Sequence, residues 1–319
     1  MIGYIIRRFL QSIVVVLGVT LVIFLLLQFV PNGGAGLART DLGTRASAAQ
    51  IHQFIVQNGF NLPFFDQYWH LLDNYAHLDF GYSYHFNEPV RSLIAQYLPR
   101  SLVLVGMSTI LALVVAIPLG IFQTVRRNKP SDYVLSSLAF IFYAMPAFVL
   151  GPLLILYLAI DNHVFSPNVP PTETVPAMFT DWRDMTLPVI TLAALTVAAF
   201  SRYMRSSMMD AMTQDFVRTA RAKGAKRLRV LVRHALRNAL IPIITLLGLS
   251  LPQIVSGAVI TETVFNFPGM GYLTYRAATQ YDVYVVVGTT IVATVATVVG
   301  SLLADVLYAV ADPRIRYGR

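Results

Sequence analysis

The sequence predicts an all-α integral membrane protein with six transmembrane helices. Composition is the first observation behind that prediction. Only 13% of the 319 residues are charged, while 56% are hydrophobic. A soluble domain carries about 25% charged residues, so this chain has too little polar surface to keep a fold in water. The second observation is the recurrence of apolar runs without Asp, Glu, Lys or Arg. They fall at 9–30, 101–125, 133–160, 185–201, 239–261 and 283–304. At a rise of about 1.5 Å per residue, roughly 20 helical residues cross the hydrocarbon core. None of the runs shows the two-residue alternation of a barrel strand.

The first run follows Arg7 and Arg8, as a secretion signal would. Its 22 residues exceed a signal core of about 7–15, and no small-residue cleavage pattern follows Pro31, so an uncleaved helix is expected. The fourth run is the shortest of the six. The chain contains no cysteine, which excludes disulfides, thiolate nucleophiles and zinc–sulfur sites. The net charge of +8, beside so much apolar surface, points to anionic lipid as the partner and not to nucleic acid.

Basic residues orient the spans. With the N-terminus inside, the inner segments hold Arg7 and Arg8, then Arg126, Arg127 and Lys129. The loop from Arg202 to Arg237 and a tail with Arg314, Arg316 and Arg319 complete the set, 18 of the 24 Lys and Arg residues. The two short outer loops hold only Arg183 and Arg276. Both termini are therefore expected in the cytoplasm. Four regions follow: 1–30, an N-terminal tail and the first helix; 31–100, an outer helical loop; 101–310, a five-helix core with an inner loop at 202–238; and 311–319, a cytoplasmic tail.

The outer loop is too long for a mere connection. Ser47 and Gln50 have the spacing of a capping box. Ile51, Phe54, Ile55 and Asn58 continue at helical period to Gly59, which suits a left-handed C-cap, and Pro63 blocks continuation. A second stripe is Tyr68, Leu71, Leu72 and Tyr75. A third begins at Pro89 with Val90, Ile94 and Tyr97. The loop reads either as a cap that receives a substrate-delivering protein or as interfacial helices. Five of the six histidines, His52, His70, His77, His85 and His163, are expected on the outer side of the membrane, but no pair has the spacing of two ligands on one helical face.

The inner loop is the most informative segment. Asp215 is placed to cap a short helix with Phe216, Val217 and Ala220 as its apolar stripe. Gly224 supplies the positive φ that ends it. Arg229, Arg233 and Arg237 then recur every four residues on a second helix. The two helices project a compact knob, a docking element or, on charge alone, a membrane anchor. The run Arg218-Thr219-Ala220-Arg221-Ala222-Lys223-Gly224, with Pro242 further on, resembles the cytoplasmic loop of ATP-binding-cassette (ABC) importer permeases. Arg218 and Thr219 stand where many of those permeases carry Glu and Ala. The full seven-residue run is similar to the dipeptide, oligopeptide and nickel branch. Leu78–Ser83, Pro89-Val90, Leu98–Leu102, Thr261–Gly271 and Asp312–Tyr317 resemble the same branch, in order along nearly the whole chain.

The resemblance implies a type I importer permease with a long outer loop after its first helix, lying in the bacterial inner membrane. It implies that residues 215–224 receive an ATPase. It further implies two cytoplasmic ATPase subunits or domains, a second related permease and an extracytoplasmic substrate-binding protein. The chain itself has no phosphate loop: Lys129, Lys223 and Lys226 follow Asn128, Ala222 and Ala225, where the motif requires Gly. No cofactor is expected on this chain, and ATP belongs to the partner. The chain is therefore read as a transport subunit and not an enzyme.

Prolines 118, 146, 152, 242 and 252, with Gly120, are placed to ease bends in the spans. Gly248, Gly257, Gly288 and Gly300 read as close-packing sites. Glu262 and Asp305 sit at span ends, where a structural role is expected. An ion-coupled carrier is the alternative reading, but it needs ionisable groups at mid-membrane, and the six runs have none.

Overall fold

The computed structural model describes residues 2–29, 33–43, 46–171, 174–256 and 258–311. The expected tail at 312–319 with its three arginines lies outside these residues, as do Gly257 and the side chains of Pro252 and Asp305.

Helix α1 spans Ile2–Gln28 and is apolar almost throughout. A cap follows. Its helices are α2 (Gly33–Leu42), α3 (Ala48–Gln57) and α4 (Phe64–Ala76). The Ser47–Gln50 capping box forms as the spacing predicts, with both reciprocal hydrogen bonds. Gly59 takes φ +71°, so α3 ends in the left-handed cap expected of it. Helix α2 was not predicted: its Gly33-Gly34-Ala35-Gly36 start has poor helix propensity. It is held because Leu37 and Ala38 are buried with Phe54.

A two-stranded hairpin, β1 (Tyr82–Ser83) with β2 (Glu88–Pro89), leads into helix α5 (Val90–Val125). The third outer stripe is thus no separate element. It is the outer part of one 36-residue helix that runs through position 100 into the second span. Pro89 precedes its first turn, where a missing N–H costs nothing.

The third apolar run is not one straight span. Helix α6 (Pro130–Ala144) and helix α7 (Ala147–Leu154), which continues as a π-helical stretch over Ile155–Asp161, are bent by 104° at Met145-Pro146. Pro146 has no N–H to give, and its ring excludes the α region for its predecessor. Met145 accordingly lies at φ −79°, ψ 122°. Pro118 and Pro242, by contrast, sit within continuous helices.

Helix α8 (Trp182–Thr213) is the central rod, and it packs along α5, α6, α7 and α11 (Leu236–Ser256). Its contact with α5 is close at Gly120, where a Cβ would lie 2.6 Å from that of Met204. Gly120 therefore permits close approach of two helices, and its expected role as a bend site gives way to that. Between α8 and α11 come α9 (Asp215–Ala222), a short α10 (Arg227–Arg229) and a π-helical turn over Val230–Ala235. The fifth span ends earlier than the apolar run, and α12 (Val259–Val264) and α13 (Met270–Thr279) follow as separate helices. Helix α14 (Val283–Ala311) closes the described chain.

Among the described residues, five helices are long and apolar enough to cross a membrane, six if the bent pair is counted as one broken span. The second count is the number predicted. The core divides along the span axis. One cluster, containing Phe80, Leu93, Met270 and Val285, ties the hairpin to α5, α13 and α14. Another, containing Phe200, Met204, Met208 and Ile243, ties α8 to α5 and α11 near the 215–224 loop.

Candidate functional site

The residues singled out from sequence, Asp215 to Gly224, form one projecting knob. Gln214 breaks away from α8 at φ −70°, ψ 152° and occupies the N-cap of α9. Asp215 is therefore the first helical residue and not the cap. Its carboxylate lies 3.5 Å from Arg218, with both side chains open to solvent, and its carbonyl accepts a bond from the Thr219 hydroxyl at 2.9 Å. An ion pair so exposed adds little stability.

What fixes the knob is its far end. The Gly224 N–H donates to the Arg221 carbonyl at 2.9 Å, and the Ala225 N–H donates to the Ala220 carbonyl at 3.1 Å. These are the two bonds of a Schellman cap, which needs a left-handed residue between them. Gly224 supplies it at φ +79°, and a side chain there would meet open space. The requirement for glycine is thus one of backbone conformation alone. Val217 and Ala220 pack on Val230 from the π-helical turn, with Ala225 at the edge. The knob has its own small core.

Its other face is free. Arg218, Thr219, Arg221, Ala222 and Lys223 are exposed, and Phe216 is 38% exposed while neighbouring Val217 is fully buried. Arg229, Arg233 and Arg237 are exposed as well, but the π-helical turn between them replaces the regular α spacing that their sequence predicts. An aromatic ring amid cations on a rigid short helix suits a complementary groove on a second protein.

Beneath the knob lies a pair of which only Arg205 is counted from sequence, among the basic residues of the inner loop, while Asp132 is not singled out there. Arg205 on α8 donates from Nε to Asp132 Oδ1 at 3.0 Å and from its terminal nitrogen to Oδ2 at 2.8 Å. Asp132, in the first turn of α6, is 2% exposed and also accepts from the Asn128 N–H and the Ser136 hydroxyl. The Thr124 hydroxyl on α5 shares its one proton between the Gly120 carbonyl at 2.8 Å and the Arg205 carbonyl at 3.2 Å. Three helices are thereby joined where the knob leaves α8.

A second knot stands at the opposite end. Glu262 is fully buried, and its carboxylate accepts from the Ser101 hydroxyl (2.7 Å), the Tyr272 N–H (2.9 Å) and the Ala258 N–H (3.2 Å). The Ser101 oxygen in turn accepts from the Met270 N–H at 2.7 Å. Gly271 lets α13 approach α12, since a Cβ there would lie 2.7 Å from Val259 Cα. The segment Thr261–Gly271 thus folds as a closed knot around the Glu262 carboxylate, whose partners support the structural role expected of it.

Two family models match the chain: the inner membrane component of binding-protein-dependent transport systems over residues 116–317, and the N-terminal part of the corresponding membrane component over residues 1–105. The chain is 40% identical to the oligopeptide transport system permease protein AppB of Bacillus subtilis over 319 residues, 99% of this chain and 100% of the relative. It is 36% identical to a putative peptide permease protein of Brucella ovis, with 99% of each chain covered. It is 34% identical to the glutathione transport system permease protein GsiC of Escherichia coli K12, over 99% of this chain and 100% of that one.

Proposed function

The chain belongs to the family of binding-protein-dependent transport system inner membrane components, and from that premise we propose that it forms half of a pathway importing di- or oligopeptides, driven by a separate ATPase. It is a multi-pass membrane permease subunit of an ABC importer. The substrate class rests on relatives named for oligopeptide, peptide and glutathione transport, each aligned along its whole length.

The observation that carries the coupling role is the knob at 215–224: a short helix with a core of its own, a Schellman stop at Gly224 and an exposed face around Phe216. In this reading the knob faces the cytoplasm and seats in a groove of one of two ATPase subunits. The density of Lys and Arg on that side supports the orientation. Closure of the ATPase pair on ATP tilts the knob. The Asp132–Arg205 pair passes that tilt from α8 to α6. A second related permease completes the pathway, and the cap at the other end receives an extracytoplasmic binding protein.

Co-purification tests this. A tagged chain is extracted in mild detergent from its host, as wild type and as Gly224→Pro. Proline is fixed near φ −65° and has no N–H for Arg221. A soluble ATPase retained by wild type and lost from a folded Gly224→Pro chain supports the reading. An intact wild type that transports peptide with no ATPase bound overturns it in favour of an ion-coupled carrier.

A further inference from the structure

Resting on the permease reading, we infer that a hydroxyl-lined cavity between α5, α8 and α11 binds the backbone N–H groups of the passing peptide. The cavity measures about 290 Å³ and opens within the membrane-spanning part of the fold. Ser108 and Thr109 of α5, Thr196 and Phe200 of α8, and Ser250 of α11 contribute to its wall. No Asp, Glu, Lys or Arg lines it among the described residues.

The state of the hydroxyls decides what they recognise. Ser108 donates to the Leu104 carbonyl at 2.7 Å, Thr196 to the Leu192 carbonyl at 3.0 Å and Ser250 to the Leu247 carbonyl at 2.8 Å. A hydroxyl has one proton to give and two lone pairs to offer. With the proton committed to the helix backbone, each oxygen presents only acceptor capacity. Three helices therefore converge on one space with acceptors whose own demand for a partner is already met. Such a wall costs little when the space is empty, because the protons of Ser108, Thr196 and Ser250 have a place, while the Thr109 hydroxyl makes no hydrogen bond among the described residues and keeps its proton to give. It also rewards any entering group that brings N–H donors.

An extended peptide brings one N–H per residue whatever its side chains. The absence of charge in the wall leaves side-chain sign unread, and the remaining lining, such as Val105 and Phe200, tolerates apolar groups. The cavity thus reads what peptides share and passes over what distinguishes them. Weak acceptors also suit transit, because a site on a pathway must release what it binds.

The test uses the complete transporter in proteoliposomes with two probes: trialanine, and its ester analogue in which one backbone N–H is replaced by oxygen. The affinity of the external binding protein for each probe is measured separately and divided out. Wild type should take up trialanine about three- to tenfold faster than the analogue, the span of one neutral hydrogen bond. The Ser108→Ala/Thr196→Val double variant should lose most of that preference, and Thr196→Ser should keep it. Co-purified partners and an unchanged melting temperature verify that each variant is assembled. An unchanged preference in the assembled double variant overturns the site while leaving the permease reading intact. Failure of wild type to import either probe removes the permease reading and this inference with it.

Discussion

Gly269 lies so close to Glu262 that a Cβ at position 269 would stand 2.5 Å from the carboxyl carbon and 2.6 Å from its Oε1. The same Cβ would be 2.5 Å from the Ser101 oxygen. A missing side chain is what lets backbone N–H groups surround the buried acid. Gly269→Ala should therefore destabilise the subunit by about 1–3 kcal/mol, the range for forced overpacking. The check is a melting temperature in detergent. Glu262→Ala should cost at least as much, because buried N–H groups of Tyr272 and Ala258 lose their acceptor. An unchanged melt for both would show that the knot is not structural.

The Asp132–Arg205 pair gives a second prediction. Asp132 is almost wholly buried, and Arg205 is 27% exposed in its side chain. Arg205→Ala should cost about 2–4 kcal/mol, somewhat less than the removal of one partner from a fully buried pair. Arg205→Lys should retain part of the interaction, since an ammonium cannot reproduce the two-pronged contact. An Asp132→Leu/Arg205→Met double variant should melt above the Arg205→Ala single variant, because no buried charge is left alone. If coupling passes through this pair, peptide uptake in the double variant should fall even where the melt recovers.

Much of this was legible in sequence, and what was not has identifiable physical reasons. Span count, capping box and glycine turn are local, and the residues that make them are within a few positions of one another. The bend at Met145-Pro146 was only partly legible. A proline in an apolar run signals a weak point, yet Pro118 and Pro242 carry the same signal and lie inside continuous helices. Arg205 and Asp132 are 73 positions apart, and Ser101 and Glu262 are 161 apart. No window along the chain sees such pairs. The glycines at 269 and 271 were visible as a motif, but their purpose appears only beside Glu262 and Val259.

The knob yields a third prediction through Gly224. An L-residue at φ +79° carries a penalty of about 1–2 kcal/mol. Gly224→Ala should weaken ATPase retention several-fold, Gly224→Asn less, and Gly224→Pro most. The order follows tolerance of the left-handed region and not side-chain size, because the space around Gly224 is open. Quantitative co-purification measures it. An order that followed size would point to a buried contact instead.

Adjacent residues on α9 supply a fourth prediction. Phe216→Asp should lower ATPase retention while leaving the melt of the isolated subunit within about 0.5 kcal/mol, as for an exposed position. Val217→Asp should lower the melt itself, because it places an unpaired carboxylate against Ala220 and Val230. Equal effects on retention and melt at both positions would mean that the knob has no dedicated outer face.

Helix α5 measures about 54 Å for its 36 residues at about 1.5 Å each, against a hydrocarbon core of about 30 Å. Held along the membrane normal, nearly half of its length would stand clear of the acyl chains. Its first residue hangs from the hairpin by the bond from the Val90 N–H to the Gly81 carbonyl, and Gly120 presses on Met204 near its other end. A lever of that length turns a tilt of about 5° at the cap into a sideways step of nearly 5 Å at the far tip. Torque applied by a delivered cargo and torque applied by nucleotide would then act on the same beam from opposite ends. Each would feel the load of the other without any loop having to carry the message.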